Sequence, residues 1–288
     1  MNKENKNKYS MNQPIVSPKW LYEHLDHPDL IILDASLAAN KSKLDSEFAN
    51  VQIKGSRFFD LKNTFRDKKN ALPNTLPDPQ LFARACRELG ICTRSKIVVY
   101  DHLGIYSSPR VWWMFKTMGH RDVAVLDGGL PAWVNEGFEV ETRQDQAVKT
   151  GDFSANYQAE LVANMDRVVS NLQHKSAVVI DARSAERFKG TAPEPRKGLE
   201  SGHIPGAKNI PFKDVLNEGK YKPKAELRAI FESLKLDNHP LIFTCGSGIT
   251  ACIIMLASEL IQKNPCAVYD GSWTEWAQTE ALPIEKET

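Results

Sequence analysis

The same series of short motifs runs twice along this chain, in the same order, and a duplication constrains the fold more than any single segment does. Leu30-Ile31-Ile32-Leu33-Asp34-Ala35 pairs with Val178-Val179-Ile180-Asp181-Ala182, an apolar run closing on Asp-Ala. Ile97-Val98-Val99-Tyr100-Asp101 pairs with Leu241-Ile242-Phe243-Thr244-Cys245, each followed by a Gly/Ser loop and a helix-like stretch. Leu126-Asp127-Gly128-Gly129 with Trp133 pairs with Tyr269-Asp270-Gly271-Ser272 with Trp276, and the separation between partners barely drifts. Within each copy, short buried strands alternate with helices, the pattern of an α/β domain with a largely parallel sheet. Residues 142–163 are polar and lack periodicity, which marks a linker. The expected division is a disordered tail over 1–13, domains over 14–141 and 164–288, and the linker between them.

Composition narrows the function. Apolar residues make up 42% and charged residues 25% of 288, as in ordinary globular chains. Lys+Arg of 37 against Asp+Glu of 36 gives no reason to expect nucleic-acid or membrane partners. No apolar run approaches the ~20 residues of a membrane span. The start of the chain, rich in Asn and Lys, lacks the apolar core of a signal peptide, so a cytoplasmic location is expected. Five cysteines form no C-x-x-C pair and match no zinc framework. Free thiols, no metal and no cofactor are expected.

The two copies differ where it matters chemically. In the second, an apolar strand ends on Cys245, then Gly246-Ser247-Gly248-Ile249-Thr250 leads into the apolar helix-like run Ala251-Cys252-Ile253-Ile254-Met255. Loop amides and the positive end of a helix both favour an anion at Cys245, and so the thiolate over the thiol. Gly246 and Gly248 permit close backbone approach. Ser247 offers a hydroxyl that either bonds a substrate or stabilises the turn. Cys252 sits in an apolar run and reads as core, as do Cys86, Cys92 and Cys266. The first copy has Asp101 in place of Cys245 and a longer loop, so the second half should be catalytic and the first should supply one wall of a cleft.

Taken together and in order, the motifs resemble the two-domain rhodanese-type sulfurtransferases over residues 16–284. The resemblance is carried by Asp181-Ala182-Arg183, Gly202-His203-Ile204-Pro205-Gly206-Ala207, Cys245-Gly246-Ser247-Gly248-Ile249-Thr250 and Asp270-Gly271-Ser272-Trp273-Thr274-Glu275-Trp276 in the second half. Ser108-Pro109-Arg110-Val111-Trp112-Trp113-Met114 and Asp127-Gly128-Gly129 carry it in the first. It implies a tandem of rhodanese-like α/β domains in which Cys245 takes sulfane sulfur as a persulfide and passes it to a thiol, such as thioredoxin, or to cyanide. The neutral C-G-S-G-I-T loop is similar to that of the mercaptopyruvate sulfurtransferases. Members acting on thiosulfate resemble C-R-K-G-V-T, with two cations beside a dianionic donor. By the same resemblance Arg187 and Arg196 bind the carboxylate and keto oxygen of 3-mercaptopyruvate, a task suited to the guanidinium fork. Cys245 and Ser247 are then catalytic, and Gly246, Gly248, Ile249 and Thr250 line the substrate loop. Arg183 and His203 are expected to be structural. Gln52 takes the place of a histidine proposed to relay protons to the loop serine.

Three rival classes are weighed by the same residues. A cysteine phosphatase needs an arginine six positions after its nucleophile, where this chain has Ala251. A non-enzymatic binding module would not need Cys245, both glycines and both arginines. A thiosulfate-preferring enzyme with the same persulfide chemistry is the closest alternative.

Overall fold

The computed structural model describes Met11 and residues 13–144, 146–261 and 264–287. Each half contains one five-stranded sheet whose pairs are all parallel. The first runs Ile15–Val16, Val123–Leu126, Lys96–Tyr100, Leu30–Asp34, Arg57–Phe58. The second runs Val162–Ala163, Cys266–Tyr269, Leu241–Thr244, Val178–Asp181, Lys208–Asn209, the same order of equivalents. These strands are near-continuous Val/Ile/Leu/Phe runs because helices cover both faces of a parallel sheet. The centre of each sheet is the strand that ends on Asp101 or Cys245. Both residues therefore lie at the carboxyl end of a central parallel strand, where ligands of open α/β sheets bind.

The helices that follow these two strands hold the halves together. Ser108–Thr117 and Ala251–Glu259 pack on each other at the centre of a core shared by both domains. Every residue from 251 to 258 is buried, as an apolar face all round the helix demands. The pseudo-symmetric contact brings both post-strand loops to the domain boundary.

Two short antiparallel pairs lie outside the main sheets: Val51–Ile53 with Val140–Thr142, and Leu216–Asn217 with Lys220–Tyr221. The segment after Thr142 is laced to the first half. The N–H groups of Gly151, Phe153, Asn156 and Gln158 donate to Arg87, Ile91, Met118 and Thr117 carbonyls, and Phe153 is buried among Phe82, Phe115 and His120. Of the expected tail, only Met11 and Gln13 lie within the described residues, and Met11 is buried in the first-half core.

Candidate active site

Cys245 is 2% exposed and lies in a cavity of ≈ 180 Å³ at the domain boundary. The second half contributes Ser247, Arg187 and Arg196 to its walls; the first contributes Lys62, Asn74 and Tyr106. The cleft is built from both copies, as the duplication suggested.

The loop after Cys245 is anchored through its carbonyls. Trp273 donates its N–H to Cys245 O at 2.9 Å and Thr274 to Gly246 O at 3.1 Å. Among the described residues, the N–H groups of residues 246–250 find no protein acceptor. The first half answers the same geometry differently. There the Asp101 carboxylate accepts N–H bonds from Leu103, Tyr106, Ser107 and Ser108 and the Ser108 hydroxyl, at 2.7–3.0 Å. One loop has closed on its own anion; the other offers its amides to an anion held at Cys245.

Two loop glycines are favoured for different reasons. Gly248 has φ +79, a left-handed conformation, and a Cβ there would lie 3.0 Å from Arg110 Nη1 and 3.2 Å from Asp270 O. At Gly246 a Cβ would come 3.2 Å from Arg187 Nη2. That glycine makes room for the arginine rather than for the sulfur. Gly246, Ser247, Ile249 and Thr250 line the cavity, whereas Gly248 does not; its carbonyl accepts from Arg110 Nη1 at 3.2 Å.

The two arginines expected at the cleft are both there, with different partners. Arg187 forks onto Glu194, Nε to Oε1 at 2.9 Å and Nη2 to Oε2 at 2.6 Å. Glu194 is buried and also receives Arg183 Nη1 at 2.9 Å. Arg196 has no carboxylate partner among the described residues and donates from Nη2 to Ser247 Oγ at 3.1 Å. Burial lowers its pKa, and the Cys245 sulfur beside it pulls the other way. Arg183 is fully buried on Asp181, Glu194 and the Gly202 carbonyl, with its guanidinium over the Trp273 ring. His203 donates from Nδ1 to Phe188 O at 2.8 Å and stacks on the Phe188 ring. Both are scaffold.

Gln52 is not part of the cleft, which corrects the expectation attached to it. It is buried on the antiparallel pair beside Val140–Thr142, where its Nε2 donates to Glu141 Oε1 at 2.8 Å and its Oε1 accepts from Gln144 N. The residue that meets the loop serine from the first half is Asn74. Its Nδ2 donates to Ser247 Oγ at 3.1 Å and to Ser247 O at 3.0 Å, while Lys62 Nζ donates to its Oδ1 at 2.6 Å. Neither Asn74 nor Lys62 carried a sequence signal; the contact spans 173 positions.

A buried ion pair fixes this arrangement. Arg110 is 0% exposed and donates to Asp270 Oδ1 at 2.7 Å, Asn74 O at 2.6 Å and Gly248 O at 3.2 Å. Asp270 in turn accepts the Leu76 N–H at 2.7 Å. One guanidinium thus holds the Asn74 turn of the first half and the cysteine loop of the second in register.

The rhodanese-like domain model matches twice, over residues 17–136 and 164–279. The chain belongs to the rhodanese family. It is 42% identical over 301 residues to "Thiosulfate/3-mercaptopyruvate sulfurtransferase 1, mitochondrial" of Arabidopsis thaliana, covering 96% of this chain and 79% of that one. It is 38% identical over 274 residues to the 3-mercaptopyruvate sulfurtransferase of Escherichia coli K12, covering 94% and 97%. The crystal structure of SseA from Escherichia coli, described as a 3-mercaptopyruvate sulfotransferase with the rhodanese fold, superposes with a TM-score of 0.81 at 35% identity. That match covers 91% of this chain and 99% of the other. A rhodanese tandem accounts for both sheets and for the duplication. Among the described residues no cluster of His, Cys, Asp or Glu could hold a metal ion.

Proposed function

We propose that this rhodanese is a 3-mercaptopyruvate sulfurtransferase working through a Cys245 persulfide. The observation that carries the reading is the convergence, in one cleft, of a buried cysteine in an open amide loop, the Ser247 hydroxyl and the carboxylate-free Arg196. Cys245 as thiolate attacks the donor's sulfur. The new S–S bond forms as the C3–S bond breaks, and the electron pair leaves on carbon as the pyruvate enolate. The donor thiol's own hydrogen balances the proton that C3 gains. The products are pyruvate and a persulfide anion, whose charge the amides of residues 246–250 are placed to stabilise. Arg196 and Arg187 receive the donor carboxylate and keto oxygen. Arg187 does so while clamped by Glu194, which holds its fork rigid at the cost of part of its charge. Ile249 and Thr250 form the wall beside the sulfur.

The sulfur then passes to a small thiol, a thioredoxin-like dithiol or cyanide. Among the described residues no helix is long and apolar enough to cross a membrane, and a cytoplasmic site of action belongs to the same proposal. Because the Arabidopsis relative is named mitochondrial, fractionation of cells making the tagged chain is the test of that part.

Thiosulfate is the second donor to consider, since Lys62 and Arg196 both face the cleft with no carboxylate partner among the described residues. Those two cations attract a dianion. The loop itself adds none, and so mercaptopyruvate is the preferred donor. Steady-state kcat/KM for both donors at one matched acceptor concentration decides between them: a higher value for thiosulfate overturns the assignment.

A further inference from the structure

Four hydrogen bonds determine which way the Ser247 hydroxyl points. A lysine ammonium can only donate, so the Asn74 atom 2.6 Å from Lys62 Nζ is the carbonyl oxygen. The amide nitrogen must then face Ser247, where the backbone carbonyl at 3.0 Å, which can only accept, requires the same orientation. The amide is locked from both ends. Its remaining contact, at 3.1 Å, places an N–H on Ser247 Oγ, and the Arg196 guanidinium places another at 3.1 Å. Two donors occupy both lone pairs of the hydroxyl. Its hydrogen is left to donate elsewhere, and the open direction is the cavity that Ser247 lines with Cys245.

We propose that Asn74 and Lys62, contributed by the half without the nucleophile, are positioning residues that aim the Ser247 proton at the departing pyruvate unit. The proposal rests on mercaptopyruvate being the donor. As the C3–S bond breaks, the keto oxygen gains charge and the carbon needs a proton. Ser247 donates to that oxygen, giving the enol, and regains a hydrogen from the donor's S–H; the enol then tautomerises to pyruvate, its O–H proton ending on C3, so no outside acid is consumed. Asn74 itself transfers no proton, and Lys62 acts only by holding the amide. The Lys62 pKa is lowered by partial burial of its ammonium and by Arg196, Arg66, Arg110 and Lys41 around it.

Thiosulfate provides the internal control. When Cys245 takes its outer sulfur, the S–S pair leaves with sulfite as a dianion and no proton is required. Single-turnover persulfide formation is therefore measured at saturating mercaptopyruvate and at saturating thiosulfate. The variants are Asn74→Asp, Asn74→Leu, Lys62→Met and Lys62→Arg. Asn74→Asp presents an acceptor that captures the Ser247 hydrogen while still pairing with Lys62. Its mercaptopyruvate rate should fall roughly tenfold to a hundredfold, the scale of a lost general acid, and its thiosulfate rate by less than about threefold. Asn74→Leu should fall in the same sense but less, because the hydroxyl is then free to rotate. Lys62→Met, a change on an exposed side chain, should raise the thiosulfate concentration needed for saturation but, at saturation, should lose rate selectively with mercaptopyruvate, and Lys62→Arg should recover it. Equal losses with both donors in every variant mean a merely structural role, and no loss means no role; either overturns the proposal. A native chain that takes sulfur from thiosulfate but not from mercaptopyruvate overturns the substrate assignment, and this role with it. Selective loss in Asn74→Asp, repeated in Lys62→Met and recovered in Lys62→Arg, is the signature of a misdirected proton.

Discussion

Asp101 and Cys245 end the central strands of two sheets with the same strand order, and the carboxylate of one takes the kind of amide loop that the other leaves open. Duplication has thus produced one loop that is structurally complete and one that is finished only by an anion. The consequence is an asymmetry: the first loop is filled by its own carboxylate, and the second faces the cavity beside Cys245.

Asp101→Asn should therefore destabilise the fold without touching the chemistry directly. The amide NH2 would face N–H groups that now meet an ionised oxygen, and bonds to charged groups contribute about 1.5–3 kcal/mol each. Burial raises the Asp101 pKa while the Ser108, Tyr106 and Leu103 donors oppose the rise. A loss of about 2–4 kcal/mol in urea unfolding is expected. An unchanged midpoint would mean the loop does not depend on its internal anion.

Arg110→Met should be the most damaging single change at the domain boundary. It leaves Asp270 without its cation and frees both Asn74 and Gly248 carbonyls. Removing one partner of a buried pair costs about 3–5 kcal/mol. Denaturant unfolding checks the magnitude, and activity should fall further than stability alone explains, since the cysteine loop and Asn74 lose their shared anchor.

Much of this was legible from the residues in order. Strand, glycine loop and apolar helix at residues 241–257 are local features, and each imposes its own signal, so Cys245 and its half stand out in the sequence as the candidate nucleophile and catalytic half. So could Arg187 and Arg196, through the segment they share with the family. What escaped was the part assembled by docking one half on the other. Asn74 and Lys62 lie in a polar loop whose composition predicts nothing beyond exposure, and only the Arg110–Asp270 tie brings that loop to Ser247. Gln52 was misjudged for a related reason. Its place just before a recognisable turn suggests a role in the cleft, but the strand that carries it, Val51–Ile53, pairs with Val140–Thr142 and buries it against Glu141. Glu194 was visible in the segment Pro193-Glu194-Pro195-Arg196, yet nothing in the pattern said that it would clamp Arg187.

That clamp separates the two arginine variants. Arg196→Ala should lower kcat/KM for mercaptopyruvate roughly ten- to a hundredfold, from lost bonds worth about 1.5–3 kcal/mol, with thermal stability little changed. Arg187→Ala should lower activity comparably but also reduce stability, because buried Glu194 keeps only Arg183. Two variants with native kcat/KM would remove both residues from the substrate site.

Thiol chemistry gives a pH-independent check near neutrality. Burial pushes the thiols of Cys252 and Cys266 up to about 12, and that of Cys86 well above its usual value. At pH 8 a thiol at about 12 is ionised in only about one molecule in ten thousand. Iodoacetamide on the folded chain should therefore spare Cys86, Cys252 and Cys266, while Cys245, in the cavity, is alkylated with loss of activity. Peptide mapping that found Cys252 modified first would contradict the packing described above.

The central claim is that sulfur resides on Cys245 between donor and acceptor, and it is tested most directly by intact-protein and peptide mass spectrometry after mercaptopyruvate is added without acceptor. One additional sulfur on the peptide carrying Cys245, removed on adding thioredoxin or cyanide and absent in Cys245→Ser, is the predicted result. A Cys245→Ser protein that still acquires the sulfur and turns over, or sulfur found on another cysteine, would contradict it.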